Sequence, residues 1–399
     1  MLVAQTSLGL RISLVSRWQK CELQRLRQEQ LFICPVCQGP VQLRLGPIRK
    51  WHFAHKKERA CQVDIEPESA DHIRGKVLLF QWLAAQGLRI YLEPYLKRLN
   101  QRPDLLVKHE EQFYAIEYQA SSLSEEQLRK RTFGYLNAGI TPIWILAGKR
   151  LKRQGRSTFS FSRFEWLTAR NYQHSDSPFL TYFSPLDKAF VILSQLTPYS
   201  ITKATGHLRV HSLPSLTFQQ VLQGPAIPPQ RSSTVNPSWL SIKKHWRYQH
   251  PRNHLRIPYS IKQMFLNQHI SPNLYPPEAG WPTDFHYLIE TPTYLWQSWI
   301  LFEFLQHQPI GKPFHFRLLS NAFKPMLTNQ QLKQRVFPQV NGHYSAALLA
   351  YLDWLIKIEL LSHVDQQVYV KNKEITIPLT LPHALKKDEQ LMSTWHAYN

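Results

Sequence analysis

Two groups of residues in this 399-residue chain have the types and spacing to do chemistry. The first is Cys34-Pro35-Val36-Cys37, followed by His52-Phe53-Ala54-His55. Two thiolates on a CxxC turn can share one ion while N–H groups of the turn stabilise the sulfur charge. Two ligands from a following hairpin then complete a tetrahedron. The expected ion is zinc, held by Cys34, Cys37, His52 and His55, with Cys61 as a replacement for one histidine. All four cysteines (Cys21, Cys34, Cys37, Cys61) fall in the first 61 residues. That distribution belongs to a metal site in a reducing compartment, not to a disulfide framework. Cys21, in a helical Gln/Arg-rich stretch, reads as a bystander.

The second group is acidic. Pro103-Asp104 opens one apolar stretch, and Phe113–Gln119 forms another. Residues two apart in a strand share a face, so Glu117 and Gln119 point the same way, toward wherever Asp104 on the neighbouring strand can meet them. Two carboxylates on adjacent strands make a hard-oxygen site for Mg²⁺ or Mn²⁺. Such an ion serves phosphodiester hydrolysis by acidifying water and stabilising transition-state charge. Upstream, Glu68, His72 and Lys76 fall four apart and line one flank of a helix. Downstream, Arg131 has the charge and fork geometry to contact a phosphate.

The elements that must position these groups follow from periodicity. Ile73, Val77, Phe80 and Ala84 make one apolar helical face within Glu68–Gln86. Strands are expected over Leu88–Glu93, Pro103–Val107 and Phe113–Gln119. A helix then starts at the Ser124–Gln127 capping box and ends at Gly139, before a strand over Pro142–Leu146. The organisation reads as α+β and multidomain: a zinc-binding segment (1–63), the αβββαβ core (64–150), a basic connecting region (151–285) and a helical domain (286–399). The connecting region includes the Pro/Ser-rich linker Gly224–Ser241. In the last domain, Thr291-Pro292 caps a helix running to Leu305, and further helices are expected over Arg317–Phe323 and Ser345–Leu361. A strand pair over Gln367–Pro378, turning at Asn372-Lys373, gives the carboxyl end a winged-helix-like pattern. No G-x-x-x-x-G-K-[ST] loop is present for nucleotide phosphates.

Composition names the partner class. Lys plus Arg outnumber Asp plus Glu by 48 to 27, a net charge of +21 that implies a polyanion. Aromatics reach 12%, with 12 Trp, as base stacking requires. Ser238–Tyr259 combines Lys243, Lys244, Arg247, Arg252 and Arg256 with Trp239, Trp246, Tyr248 and Tyr259, and holds no acid. Positive charge with flat rings suits single-stranded DNA, each stacked base contributing about 1–3 kcal/mol. Lys149–Arg156, with Arg150, Lys152 and Arg153, is a second phosphate-facing candidate. Glu303, Asp353 and Lys357 interrupt the most apolar windows, so no membrane span is expected, and Arg11 breaks any signal-peptide pattern. The cytoplasm is the expected location.

Taken together, CPVC, WHFAH, ESADHIRGK, RPDLLV…YAIEYQAS and RKRTFGYLNAG resemble the competence protein CoiA family of naturally transformable Gram-positive bacteria, over residues 20–150. The resemblance implies a zinc-binding amino-terminal segment, a PD-(D/E)xK restriction-endonuclease-like nuclease domain and a helical carboxyl-terminal region. It also implies processing or recombination of incoming single-stranded DNA beside RecA and DprA proteins. By the same resemblance Asp104 and Glu117 become metal ligands, Glu68 matches the acid of the first helix, and Gln119 stands where lysine is expected. Glutamine can hydrogen-bond water but brings no charge, which Lys76 or Arg131 would then supply. The expected function is a metal-dependent DNA nuclease. The alternative is a catalytically inactive DNA-binding mediator that recruits recombination proteins through a degenerate nuclease fold.

Overall fold

Short alternating stretches at the amino end pair into a sheet of five strands, β1 (Val3–Thr6), β2 (Arg11–Ser13), β3 (Phe32–Ile33), β4 (Pro40–Arg44) and β5 (His52–His55), in the order β2-β1-β3-β4-β5. Helix α1 (Lys20–Glu29) joins β2 to β3. Along β4 only Val41 and Leu43 turn inward, to pack with Leu23, Phe32 and Phe53. Phe53 N–H donates to Met1 O (2.9 Å) and the Met1 amine donates to Phe53 O (3.1 Å), bringing β5 back to the start of β1. The computed structural model describes residues 1–47, 50–55, 61, 69–172, 175–224, 238–253 and 257–398. It divides into two units: Met1–Ser194 with His207–Pro225 and Phe337–Val340, and Gln195–Gly206 with Ala226–Val336 and Asn341–Asn399.

The first unit continues with α2 (Ala70–Ala84), β6 (Arg89–Leu92), β7 (Leu105–His109), β8 (Gln112–Gln119), α3 (Glu125–Asn137) and β9 (Ile140–Ala147), the expected order of helix, three strands, helix and strand. Ser69 caps α2 by accepting the His72 N–H, and the Ser124 capping box opens α3. Two glycines set how closely these helices approach. A Cβ at Gly75 would collide with the Tyr118 ring, so α2 lies directly on β8. A Cβ at Gly134 of α3 would likewise strike the Gln101 amide.

The sheet does not stop at β9. It runs on through β10 (Lys152–Arg153), β11 (Thr158–Ser160), β12 (Arg170–Tyr172), β13 (Ser175–Ser184), β14 (Ala189–Pro198) and β15 (Lys203–Ser212), with helices α4 (Arg163–Leu167) and α5 (Phe218–Gln223). The ten-stranded sheet has the order β10-β11-β15-β14-β13-β9-β8-β7-β6, with β12 on β13. Residues 151–223 therefore extend this sheet instead of forming a separate connecting region. The physical reason lies in β9, which is parallel to both β8 and β13. A strand flanked on both sides reads as an uninterrupted apolar run, and Pro142–Ala147 is buried throughout. Trp82 of α2 also needs the later segment: its ring packs on Phe190 and Phe218, and its indole N–H donates to Leu216 O at 2.8 Å. Most of the Pro/Ser-rich linker (225–237) lies outside the described residues.

The second unit holds α6 (Ser238–Asn253), α7 (Tyr259–Asn267), α8 (Thr293–Trp299), α9 (Phe316–Thr328), α10 (Tyr344–Lys357) and α11 (Leu381–Tyr398). A three-stranded sheet joins β16 (Pro313–His315), β17 (Leu361–Asp365) and β18 (Val368–Lys371) in the order β16-β18-β17. Its hairpin turns at Gln366-Gln367, where Gln367 takes a left-handed φ of +59°, and not at Asn372-Lys373. Pro292, not Thr291, occupies the cap position of α8. Trp239, Trp246, Trp281, Trp296, Trp299, Trp354 and Trp395 all sit in the hydrophobic core of this unit, so most of the chain's indole rings serve packing and not base stacking. Among the described residues no helix is long and apolar enough to cross a membrane.

Candidate metal and nuclease-like sites

The cysteine turn folds as a knuckle. Cys34 N–H donates to Gly39 O (2.8 Å), Gln38 N–H donates to Cys34 O (3.0 Å), and Val36 N–H points at Cys34 Sγ from 3.4 Å. Gln38 closes the turn with a left-handed φ of +56°. Cys37 Sγ lies 3.3 Å from His55 Nε2. One donor atom from each of Cys34, Cys37, His55 and Cys61 lies within 4.8 Å of all the others, so these four could hold one metal ion. The fourth place goes to Cys61 and not to His52. In β5, residues three apart face opposite sides, and His52 Nδ1 sits 2.9 Å from Lys50 O. Burial pushes the Cys34 thiol up to about 12, so at neutral pH either a proton or a metal cation must sit on that sulfur.

The acidic pair forms at one end of the large sheet. Leu105 pairs with Ile116, and this register puts Asp104 across from Glu117. Each carboxylate is engaged by a different helix. From α2, His72 Nε2 lies 3.1 Å from Asp104 Oδ2 and Lys76 Nζ lies 3.4 Å from Oδ1, while Tyr118 N–H donates to Oδ2 at 2.9 Å. From α3, the Tyr135 hydroxyl donates to Glu117 Oε1 at 2.5 Å and the Arg131 guanidinium pairs with the same oxygen. Burial pushes the Glu117 carboxyl above the usual carboxylate range. Arg131 opposes that push and the neighbouring Asp104 charge adds to it. Among the described residues both hydrogen bonds to Glu117 fall on Oε1, which leaves Oε2 to accept another group.

Asp104, Glu117, Lys76 and Arg131 are therefore brought together as the sequence suggests. Gln119 turns its amide to Ser121 O at 3.0 Å, and Glu68 lies outside the described residues. Glu93 joins the cluster without any sequence signal: its Oε1 is 2.5 Å from Lys76 Nζ, and its Oε2 accepts Leu2 N–H (2.8 Å) and Val3 N–H (3.3 Å). Tyr135, four residues from Arg131 and so on the same flank of α3, meets it on Glu117 as that spacing suggests.

Comparison with known proteins settles the lineage. Three family descriptions match in succession: competence protein CoiA, N-terminal domain, over residues 15–64; nuclease-like domain, over 68–226; and C-terminal domain, over 235–385. The chain belongs to the competence protein CoiA family. It is similar to "Competence protein CoiA" of Bacillus subtilis (strain 168), at 28% identity over 354 residues, covering 88% of this chain and 92% of that relative. No solved structure matches. The nuclease-like match ends at residue 226, in keeping with a sheet that runs on past β9.

Within this CoiA family member, the basic stretches divide between surface and core. Lys243 and Arg247 are fully buried, and Trp246 is buried with them, so these three leave the expected DNA surface. Lys243 Nζ donates to Pro277 O (2.9 Å) and Ala279 O (2.6 Å) and lies 3.1 Å from Asp388 Oδ1. Arg247 grips both Asp388 oxygens, at 2.6 and 2.9 Å, and donates to Asn273 O and Tyr275 O. The partner that draws these cations inward, Asp388 of α11, lies far along the chain from an acid-free segment. On the outer face, Lys244 pairs with Glu389 at 3.1 Å and Tyr248 is 60% exposed. Arg256 and the Arg252 side chain lie outside the described residues. In the other stretch, Lys152 and Arg153 are exposed on β10, and Arg153 braces its own hairpin through Gly155 O at 2.8 Å. Arg150 is committed elsewhere, to Glu165 at 2.5 Å and Ser122 Oγ at 3.0 Å.

Proposed function

We propose that this chain processes incoming DNA in natural competence as a metal-dependent nuclease of the PD-(D/E)xK type, with Asp104 and Glu117 sharing Mg²⁺ or Mn²⁺ and a structural zinc at Cys34, Cys37, His55 and Cys61. The observation that carries the nuclease reading is the register opposing Asp104 to Glu117, with Glu117 Oε2 left to accept a cation and Asp104 14% exposed at the rim. A divalent ion bound there supplies Lewis-acid stabilisation of charge on a phosphodiester. The chain's own residues do the rest. Arg131 and Tyr135 fix the orientation of Glu117, and His72 with the Tyr118 N–H fixes Asp104. Gln119, neutral where the class carries lysine, donates its amide to Ser121 O at 3.0 Å. A buried charge cluster with one acid reaching solvent is a weak device for stability, and its openness supports function.

Single-stranded DNA is the expected substrate, with Lys152 and Arg153 on β10 as phosphate contacts and RecA- and DprA-type proteins as partners in the cytoplasm. The sequence of α8, β16, α9, α10, β17 and β18, with strand order β16-β18-β17, supports a winged-helix-like reading of the carboxyl end. Helix α10 presents Asp353 to solvent and no exposed arginine, so it is not assigned to base-edge readout.

The deciding experiment incubates the purified chain with single- and double-stranded DNA in Mn²⁺, with and without EDTA. Cleavage that EDTA stops, and that Asp104→Asn and Glu117→Gln each remove while DNA binding persists, supports the nuclease. DNA binding with no cleavage by the parent selects the inactive mediator, a reading favoured by Arg131 already sitting on Glu117. For the thiol site, metal analysis should find about one zinc per chain. That zinc should survive His52→Ala and be lost in His55→Ala and Cys61→Ser.

A further inference from the structure

Lys76 is completely buried and stands between two carboxylates, 2.5 Å from Glu93 and 3.4 Å from Asp104. Glu93 is held from several sides. Its backbone takes a left-handed φ of +46°, its Oε2 accepts the Leu2 and Val3 N–H groups of the amino-terminal sheet, and Arg102 Nη1 lies 3.9 Å away. For a residue with a long side chain that backbone region is disfavoured, and it persists where surrounding contacts over-determine it. The Glu93 N–H donates to Asp104 O at 3.0 Å, so the two acids are backbone neighbours that share the Lys76 ammonium, with Glu93 the nearer.

An ammonium group centred on Asp104 would compete with any cation for the same oxygens. Coulomb attraction at this depth is strong and weakly screened, so the share of Lys76 that each acid takes decides how much negative charge Asp104 has left. We infer that Glu93 is a positioning residue: clamped by the first strand of the amino-terminal sheet, it holds Lys76 back from Asp104 and so keeps Asp104 available to a divalent cation. The amino-terminal sheet is then part of the nuclease-like site through its backbone, independently of any contact with DNA. The inference rests on the reading of Asp104 as a cation ligand.

The test is calorimetric titration of Mn²⁺ into the zinc-loaded full chain and three variants, with melting temperature and zinc content recorded as checks on folding. Glu93→Gln removes the charge that holds Lys76, and Mn²⁺ affinity should fall at least tenfold. Lys76→Met removes the competitor, and affinity should equal or exceed that of the parent. Combining the two should restore affinity to within about threefold of the parent, because without Lys76 the holding charge has nothing to hold. Unchanged affinity in Glu93→Gln, no recovery in the double variant, or weaker binding in Lys76→Met would each overturn the inference. Lys76→Met keeps the test decisive if Glu93→Gln fails to fold. A parent that takes up no Mn²⁺ beyond its zinc overturns the cation-site reading itself, and the positioning role with it. A parent that binds Mn²⁺ while its variants ignore the pattern overturns the positioning role alone.

Discussion

Two buried clusters of Lys, Arg and carboxylates in this chain differ in what they leave unfinished. Around Asp388, Lys243 and Arg247 are saturated: every strong donor faces a carboxylate or a main-chain carbonyl, and both cations are fully buried. Around Asp104 and Glu117 the arrangement stays open at one side, with Asp104 reaching solvent and a Glu117 oxygen still able to accept. The first cluster ties α6 to α11 and to the 273–279 segment. The second balances its charges across two helices and a sheet end without closing over them. Saturation marks a brace, and the acceptor left open is the one the proposed cation would use.

Neutralising each acid is the strongest way to break this contrast. Asp104→Asn should reduce metal-dependent cleavage by about 10³-fold, the several kcal/mol expected of a lost metal contact, with little change in melting temperature. Asp388→Asn should do the reverse, costing about 3–5 kcal/mol in denaturant unfolding of the second unit because two buried cations lose their partner. If Asp104→Asn destabilises as much as Asp388→Asn, the two clusters are the same kind of object.

A smaller effect sharpens the picture of the second unit. Burial lowers His286 to about 4, and its Nδ1 faces Thr283 O at 2.6 Å. Between that value and the ordinary 6.5 the unfolded chain binds a proton that the folded one refuses, so stability rises with pH over this window and is lost as pH falls through it. Chemical denaturation from pH 7 to 4 should show this slope, and His286→Gln should flatten it. The smallest effect concerns DNA. Replacing Lys152, Arg153 and Arg156 by Ala should weaken single-strand binding a few-fold and reduce the salt slope by about 0.7 per lost contact. Lys244→Ala, whose parent side chain is paired with Glu389, should change it less. Equal losses in both would return α6 to the DNA surface.

The core of the fold is readable from the sequence because local signals agree there. The Ser124 capping box and the apolar run of Phe113–Gln119 specify elements that are found. The pairing of Asp104 with Glu117 is readable for the same reason, since strand register brings the two acids together. Helix α2 forms where expected but buries Ile73, Lys76, Leu79, Trp82 and Leu83 in place of the expected Val77, Phe80 and Ala84, because the face that meets the sheet is set by packing on β8. What escapes is long-range. The inward turn of Lys243 and Arg247 depends on Asp388, and the extension of the sheet beyond Ala147 depends on β13 pairing with β9. Cys61 displaces His52 because strand parity, which the WHFAH spelling hides, separates the two histidines. Basic residues interleaved with aromatics describe a single-strand groove and a cation-braced core equally well.

Gly75 has one more lesson. The Tyr118 ring fills the space where its Cβ would be, and on this packing depends the reach of His72 and Lys76 to Asp104. A saturation mutagenesis screen scored by transformation frequency would therefore rank position 75 beside the acids, although it offers no atom to substrate or ion. Intolerance in such a screen would map the scaffold that aims the chemistry as faithfully as the chemistry itself, and only purified variants could tell the two apart.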